Sequence, residues 1–136
     1  MAFISKEDLY LSILEDELNE ITRGNDAIIT AAISAAEADL RVYLFDSYDV
    51  DTIFSSVGTA RHQMLVQLCA DVTIWFLVAR LQAGQDTDAR KSRYDRAIAW
   101  LKMVKRSGTY ADLPRRESTV QTHISHGSNL KRNNYF

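Results

Sequence analysis

The chain has 136 residues, one cysteine, 46% hydrophobic and 25% charged residues, and a formal net charge of −2. That is about one soluble domain, long enough to bury a core without staples. The single cysteine excludes an intramolecular disulfide, and with it a secreted disulfide scaffold.

The opening MAFISKEDLYLS has early acids and no long apolar stretch, so it does not read as a signal peptide. Synthesis in the cytoplasm is expected. Ser5 is a good N-cap for a first short helix, with Asp8 standing where a capping box usually has Glu or Gln. Leu9 and Ile13, extended by Leu14, give it a short apolar face. A second helical turn is expected over Glu15–Thr22, where Leu18 and Ile21 lie three apart, and Arg23-Gly24-Asn25 breaks it.

Asn25 or Asp26 caps a long helix that runs to about Phe45. Ile29, Ile33, Ala36, Leu40 and Tyr43 follow the helical period, while Thr30, Ser34, Glu37 and Arg41 mark the other side. Its alanines favour helix and leave room for a neighbouring helix to approach closely. Residues 46–58 are polar, acidic and β-branched in places and read as a loop. Their DSYDVD start lacks the fixed Gly and the twelfth-position Glu of a calcium loop.

A central helix is predicted from about Thr59 to Ala83, closed by Gly84. Within it RHQMLVQLCADVTIWFLVARL is the most apolar run of the chain, yet Asp71 and Arg80 interrupt it, so it is not expected to span a membrane. Leu65, Leu68, Val72, Trp75 and Ala79 share one face, widened by Val66, Cys69 and Phe76. Asp71 should lie at the border of the buried region. A last helix runs from Asp88 to about Arg106, with Tyr94, Ala97, Ile98, Leu101 and Val104 inward and Arg90, Lys91, Arg93, Lys102 and Lys105 mostly outward. After Gly108 the helical period disappears. The sequence thus predicts an all-α fold, a bundle of four to five helices over 1–108 with an extended polar, basic arm over 109–136.

Charge is unevenly distributed. Residues 1–58 hold 12 acids and 3 bases, whereas residues 59–136 hold 6 acids and 13 bases. The acidic half would repel phosphate, which argues against simple DNA binding. Such polarity suits head-to-tail self-association, in which one subunit's acidic surface meets the next one's basic surface; charges that intermix on folding are the alternative.

Candidate chemistry is thin. His123 and His126 share a three-residue spacing, but zinc sites usually need three or four ligands and neither His62 nor Cys69 is near in sequence. Cys69 sits among Leu68 and Ala70, a setting for a buried structural thiol rather than a nucleophile. Asp71, a carboxylate near a core, needs a partner, and Arg41, Tyr43 or Tyr94 are the candidates. We take Asp71 and Arg41 as a candidate buried tether. No phosphate loop, Gly-x-Ser-x-Gly, His-Glu-x-x-His or Cys-x-x-Cys occurs. No enzymatic activity, cofactor or metal is expected.

The phrases SKEDL and ELNEIT, the alanine-rich AISAAEADLRVYL, LCADVTIWFL and YDRAIAWLKMV come in an order that resembles the Mu-type tailed-phage and prophage family of small head–tail connector proteins. The likeness covers about residues 3–108. In place of the Arg-Tyr and prolines common in that family after the second helix, this chain has Asp46-Ser47-Tyr48-Asp49. The resemblance implies a non-enzymatic adaptor that forms a ring between portal and tail of a virion. Its implied partners are copies of itself, the portal protein and tail-completion proteins, with DNA passing through the channel unread and no membrane involved. The arm, through Arg115, Arg116, Lys131, Arg132, Tyr135 and Phe136, is the candidate for docking onto the portal or a neighbouring subunit. The alternative is a small helical nucleic-acid-binding or regulatory protein that uses the basic last helix and tail.

Overall fold

The computed structural model describes residues 2–80, 87–110 and 112–117. Among them the fold is all-α, as expected, with no strand and six α-helices rather than four or five. These are α1 (Lys6–Leu9), α2 (Glu15–Thr22), α3 (Asp26–Leu44), α4 (Val50–Ser55), α5 (Gln63–Val78) and α6 (Asp88–Ser107), with a 3₁₀ turn over Gly58–Ala60 before α5. No helix of the described residues is long and apolar enough to cross a membrane.

Three helices make the core. α5 lies against both α3 and α6, which also touch one another, and α1 and α2 close over α5. Its inward residues include Leu65, Leu68, Cys69, Val72, Ile74 and Leu77, all buried. α3 contributes Ile29, Ile33, Ala36, Leu40 and Leu44, and α6 contributes Ala97, Leu101 and Val104, each at helical spacing. Burying side chains of this size stabilises the fold by roughly 1.5–3 kcal/mol apiece before entropy is counted. Asp71 is half-buried at the border, as its position beside Val72 predicts.

The ends of the elements explain the differences from the sequence reading. α3 begins as expected, with the Asn25 side chain accepting from the Ala27 amide at 3.0 Å. Asp8 closes the box at α1 by accepting from the Ser5 amide at 2.8 Å. The expected loop at 46–58 contains α4. Asp49 caps it by accepting from the Thr52 amide and hydroxyl at 3.2 and 2.6 Å, and Ile53 and Phe54 enter the core. α5 is shorter than the predicted 59–83. It starts at Gln63 because the His62 ring accepts from the Leu65 amide at 3.4 Å, and it ends at Val78, so Ala79 is exposed rather than inward. Gly84 lies outside the described residues.

The packed unit does not stop at the end of α6. Gly108 turns the chain with φ of +63°, and Leu113 is buried beyond it. Pro114 and Arg116 then pair with the segment that follows α3: the Asp49 amide donates to Pro114 O at 2.9 Å and the Arg116 amide to Ser47 O at 3.0 Å. These bonds flank an isolated antiparallel bridge between Tyr48 and Arg115.

Candidate interaction surface

The docking residues expected on the arm divide into two groups. Arg115 and Arg116 are described and exposed; Lys131, Arg132, Tyr135 and Phe136 lie outside the described residues, as do His123 and His126. The two arginines stand at a corner built by Tyr48. This tyrosine follows α3, is fully buried, donates its hydroxyl to Val104 O at 3.0 Å, and accepts from the Tyr110 amide at 3.0 Å. One phenol therefore joins the end of α3, the last turn of α6 and the chain beyond it. Tyr110 in turn meets Trp100 edge-on, with ring centroids 5.4 Å apart. At the rim, the Arg116 guanidinium lies 4.7 Å from the Phe45 ring centroid, and Arg115 reaches Gly108 O at 3.4 Å. Stacking on an aromatic face holds an arginine in place while its charge stays in water.

Arg41 and Asp71 are not brought together as a tether. Arg41 is drawn to its own side of α3, where it meets Glu37 at 3.3 Å and Asp51 at 3.2 Å and lies over the Phe54 ring at 5.0 Å. α4, which the sequence reading took for loop, supplies Phe54 and Asp51, and this is why the expectation went to the wrong carboxylate. Asp71 accepts instead from Gln67 Nε2, one turn earlier, at 3.2 Å. Burial pushes its carboxyl up from the ordinary range, and the Gln67 bond together with Arg93, Arg96 and Arg90 of α6 opposes that shift.

Gln67 also donates to Ser12 Oγ at 2.8 Å. From the other flank Arg90 donates to Ser12 O at 2.6 Å and to Glu17 at 3.4 Å. The α1–α2 link is thus held from α5 and α6 together, and Arg90, expected to face outward, is a clamp. A second clamp was equally invisible in the sequence. Arg61 pairs with Asp8 at 2.7 Å and donates to Phe3 O at 3.0 Å, with both charged side chains largely covered. The Arg61 guanidinium holds the Asp8 carboxyl below its ordinary value. No local pattern announces these partners, because they lie 53 and 78 residues apart in sequence.

Cys69 is fully buried, and that burial pushes its thiol up to about 12. It is a core residue and no thiolate at neutral pH. Among the described residues no group of three or more His, Cys, Asp or Glu side chains is placed to hold a metal ion.

The described residues also leave charged and apolar side chains exposed on two helices. α2 shows Glu15, Asp16 and Glu20, with Leu11 and Leu14 exposed at its start. α6 shows Arg93, Arg96, Lys102, Lys105 and Arg106 around exposed Met103. The uneven charge of the sequence is partly intermixed on folding, through the Arg61–Asp8 and Arg90–Glu17 pairs, and the acids of α2 and the cations named on α6 are what stays exposed. Compared with known families, residues 3–126 match the model of the family bacteriophage Mu, Gp36. The chain belongs to the bacteriophage Mu Gp36 family. It is a phage protein, and the match continues past Glu117 into the arm. No curated protein and no solved structure matched.

Proposed function

We propose that this Gp36-family chain is a structural head–tail connector of a tailed phage or prophage. It forms a ring between portal and tail during assembly and carries out no catalytic step. The observation that carries this reading is the family match over residues 3–126. It joins the order of helical phrases by which the sequence resembles small connectors. In this reading copies of the chain pack side by side around a channel for DNA, and the finished location is the virion. A ring needs one surface on each subunit to meet a different surface on the next. In this reading the exposed acids Glu15, Asp16 and Glu20 of α2 and the exposed cations of α6 would supply two such surfaces. Arg115 and Arg116, held at the corner beside Phe45, stand where the arm would leave for the portal.

The test is genetic and structural. A nonsense mutation in the gene, carried in its phage, should give DNA-filled heads and free tails that remain unjoined, restored by supplying the protein. Joined, infectious particles lacking the protein would overturn the reading.

A second reading has its own observation, the six exposed cations of α6 (Lys91, Arg93, Arg96, Lys102, Lys105 and Arg106), which fit a duplex-binding protein. Its signature is salt-sensitive binding of duplex DNA by the isolated monomer. Under the connector reading that binding is weak and has no sequence preference.

A further inference from the structure

α3 carries a second face, turned away from the core residues Ile29, Ile33, Ala36 and Leu40. Ala27, Ala31, Ser34, Ala38, Val42 and Phe45 are all exposed and recur at three- and four-residue steps. They form an uncharged stripe about 27 Å long at 1.5 Å per residue. It is not only small residues: Val42 is 67% and Phe45 53% exposed, high for apolar side chains beside a packed core. At its far end the stripe opens into a groove of about 380 Å³, lined by Ala27, Ile28, Ala31, Ala32, Phe76, Leu77 and Arg80.

The course of the backbone indicates what covers it. The bridge at Tyr48 and Arg115 is antiparallel. The chain therefore runs from Pro114 to Arg116 in the direction that leads from Asp49 back through Ser47 toward Phe45. Arg116 ends this course over the Phe45 ring. Residue 117 is thus delivered to the near end of the stripe. Nineteen residues follow, 118–136, with Val120, Ile124, Leu130, Tyr135 and Phe136 as large apolar groups, Lys131 and Arg132 as cations, and no acid. The stripe is bordered by Asp39 and Asp46 along one edge and by Arg41 along the other, with Arg80 at the groove, so the carboxylate edge is the side that suits Lys131 and Arg132 of such an occupant. Nineteen residues reach at most about 60 Å, more than twice the length of the stripe. A segment tethered beside its seat also meets it at a high effective concentration, in the millimolar range for short linkers.

We propose that the exposed face of α3 and its terminal groove are the seat of residues 118–136 of the same chain. This does not depend on the connector reading, since it concerns one molecule. Its consequence is that a partner using either the arm or α3 must first separate them, which couples exposure of one to exposure of the other.

Amide hydrogen exchange on the full-length protein tests the proposal. Peptides from 118–136 should exchange about tenfold more slowly than an unstructured reference. The double variant Ala38→Lys, Val42→Lys should abolish that protection and leave the helical circular dichroism of the core in place, because both positions are exposed. Unprotected peptides in the unsubstituted protein, or protection that the variant does not change, would overturn it. A disulfide trap then identifies the occupant. Ala38→Cys combined with Val120→Cys or with Ile124→Cys should give a link within one chain, while Ala99→Cys on α6 with the same partners gives none. Buried Cys69 stays out of the reaction. Covalent dimers alone would assign the seat to a second copy, and no link with either partner would reject the seat.

Discussion

The two ends of this molecule are both fastened to the α3–α5–α6 core, by opposite chemistry. At the N-terminal end the fasteners are charged. Arg61 grips Asp8 and Phe3 O, and Arg90 grips Ser12 O and Glu17. At the C-terminal end the fastener is neutral: one buried phenol with a donor and an acceptor partner, reinforced by two backbone hydrogen bonds. Hydrogen bonds between uncharged groups depend little on salt. A charged clamp draws strength from a partly dry setting and weakens when its carboxylate is protonated or its field is screened. The segment that leads into the arm is thus anchored by bonds that salt hardly touches.

The sharpest way to break the comparison is at Tyr48. Tyr48→Ala removes a fully buried aromatic side chain and should cost about 4 kcal/mol in chemical denaturation. Tyr48→Phe keeps the ring, leaves the Tyr110 amide without its partner while Val104 O keeps the Gly108 amide, and should cost about 1–2 kcal/mol. The loss in the phenylalanine variant should be the same in low and high salt. A salt-dependent loss would mean that the corner is held by its arginines and not by the phenol.

Arg61→Ala is the counterpart at the other end, with an expected loss of about 2 kcal/mol, between the values for exposed and fully buried pairs. This loss should shrink in 1 M salt. It should also vanish in acid, and the sign follows from Asp8. The folded-state carboxyl of Asp8 is held below its ordinary 3.8. Its stabilising contribution is therefore fully present above that value and is lost as pH falls through the lower, folded one. Unfolding curves of the two proteins should converge in that acid window. A difference that persists there would assign the effect to the hydrogen bond with Phe3 O.

Gly108 sharpens the neutral end from the backbone side. Its φ is +63°, and a Cβ placed there would come within 3.3 Å of Ser47 Oγ. Gly108→Ala should cost about 1 kcal/mol. It should also speed amide exchange of residues 113–116 more than that of α5. Equal acceleration everywhere would show that the turn and the Tyr48 corner are not one unit.

How much of this was legible in the sequence follows the range of each interaction. α3, α5 and α6 are long enough for the 3.6-residue period to show, and Ile29-Ile33-Ala36-Leu40 and Ala97-Leu101-Val104 are the faces observed. Capping by Ser5, Asn25 and Asp49 is local chemistry, yet only the first two were read. In α4 the six residues span less than two turns, too few for Ile53 and Phe54 to reveal a period. Tyr48 was read only as a departure from a family pattern, because its partners lie 56 and 62 residues away. Arg115 and Arg116 were singled out by charge, and their actual anchorage by backbone pairing and the Phe45 ring could not be.

Asp71 gives the smallest and most diagnostic effect, because its sign is opposite to that of Asp8. Burial raises its folded-state carboxyl above the ordinary 3.8, so the charged form is held at a cost at neutral pH. A group of this kind contributes stability that is fully present below its unfolded value and is lost as pH rises through the folded one. Asp71→Asn keeps an oxygen that can accept from Gln67 and removes the charge. It should leave the protein unchanged or stabilise it by up to about 1 kcal/mol at pH 7, and the gain should disappear near pH 3. The three arginines of α6 decide the size. A variant less stable than the parent at pH 7 by thermal melting would mean that Arg90, Arg93 and Arg96 outweigh the burial, making Asp71 a charged fastener like Asp8.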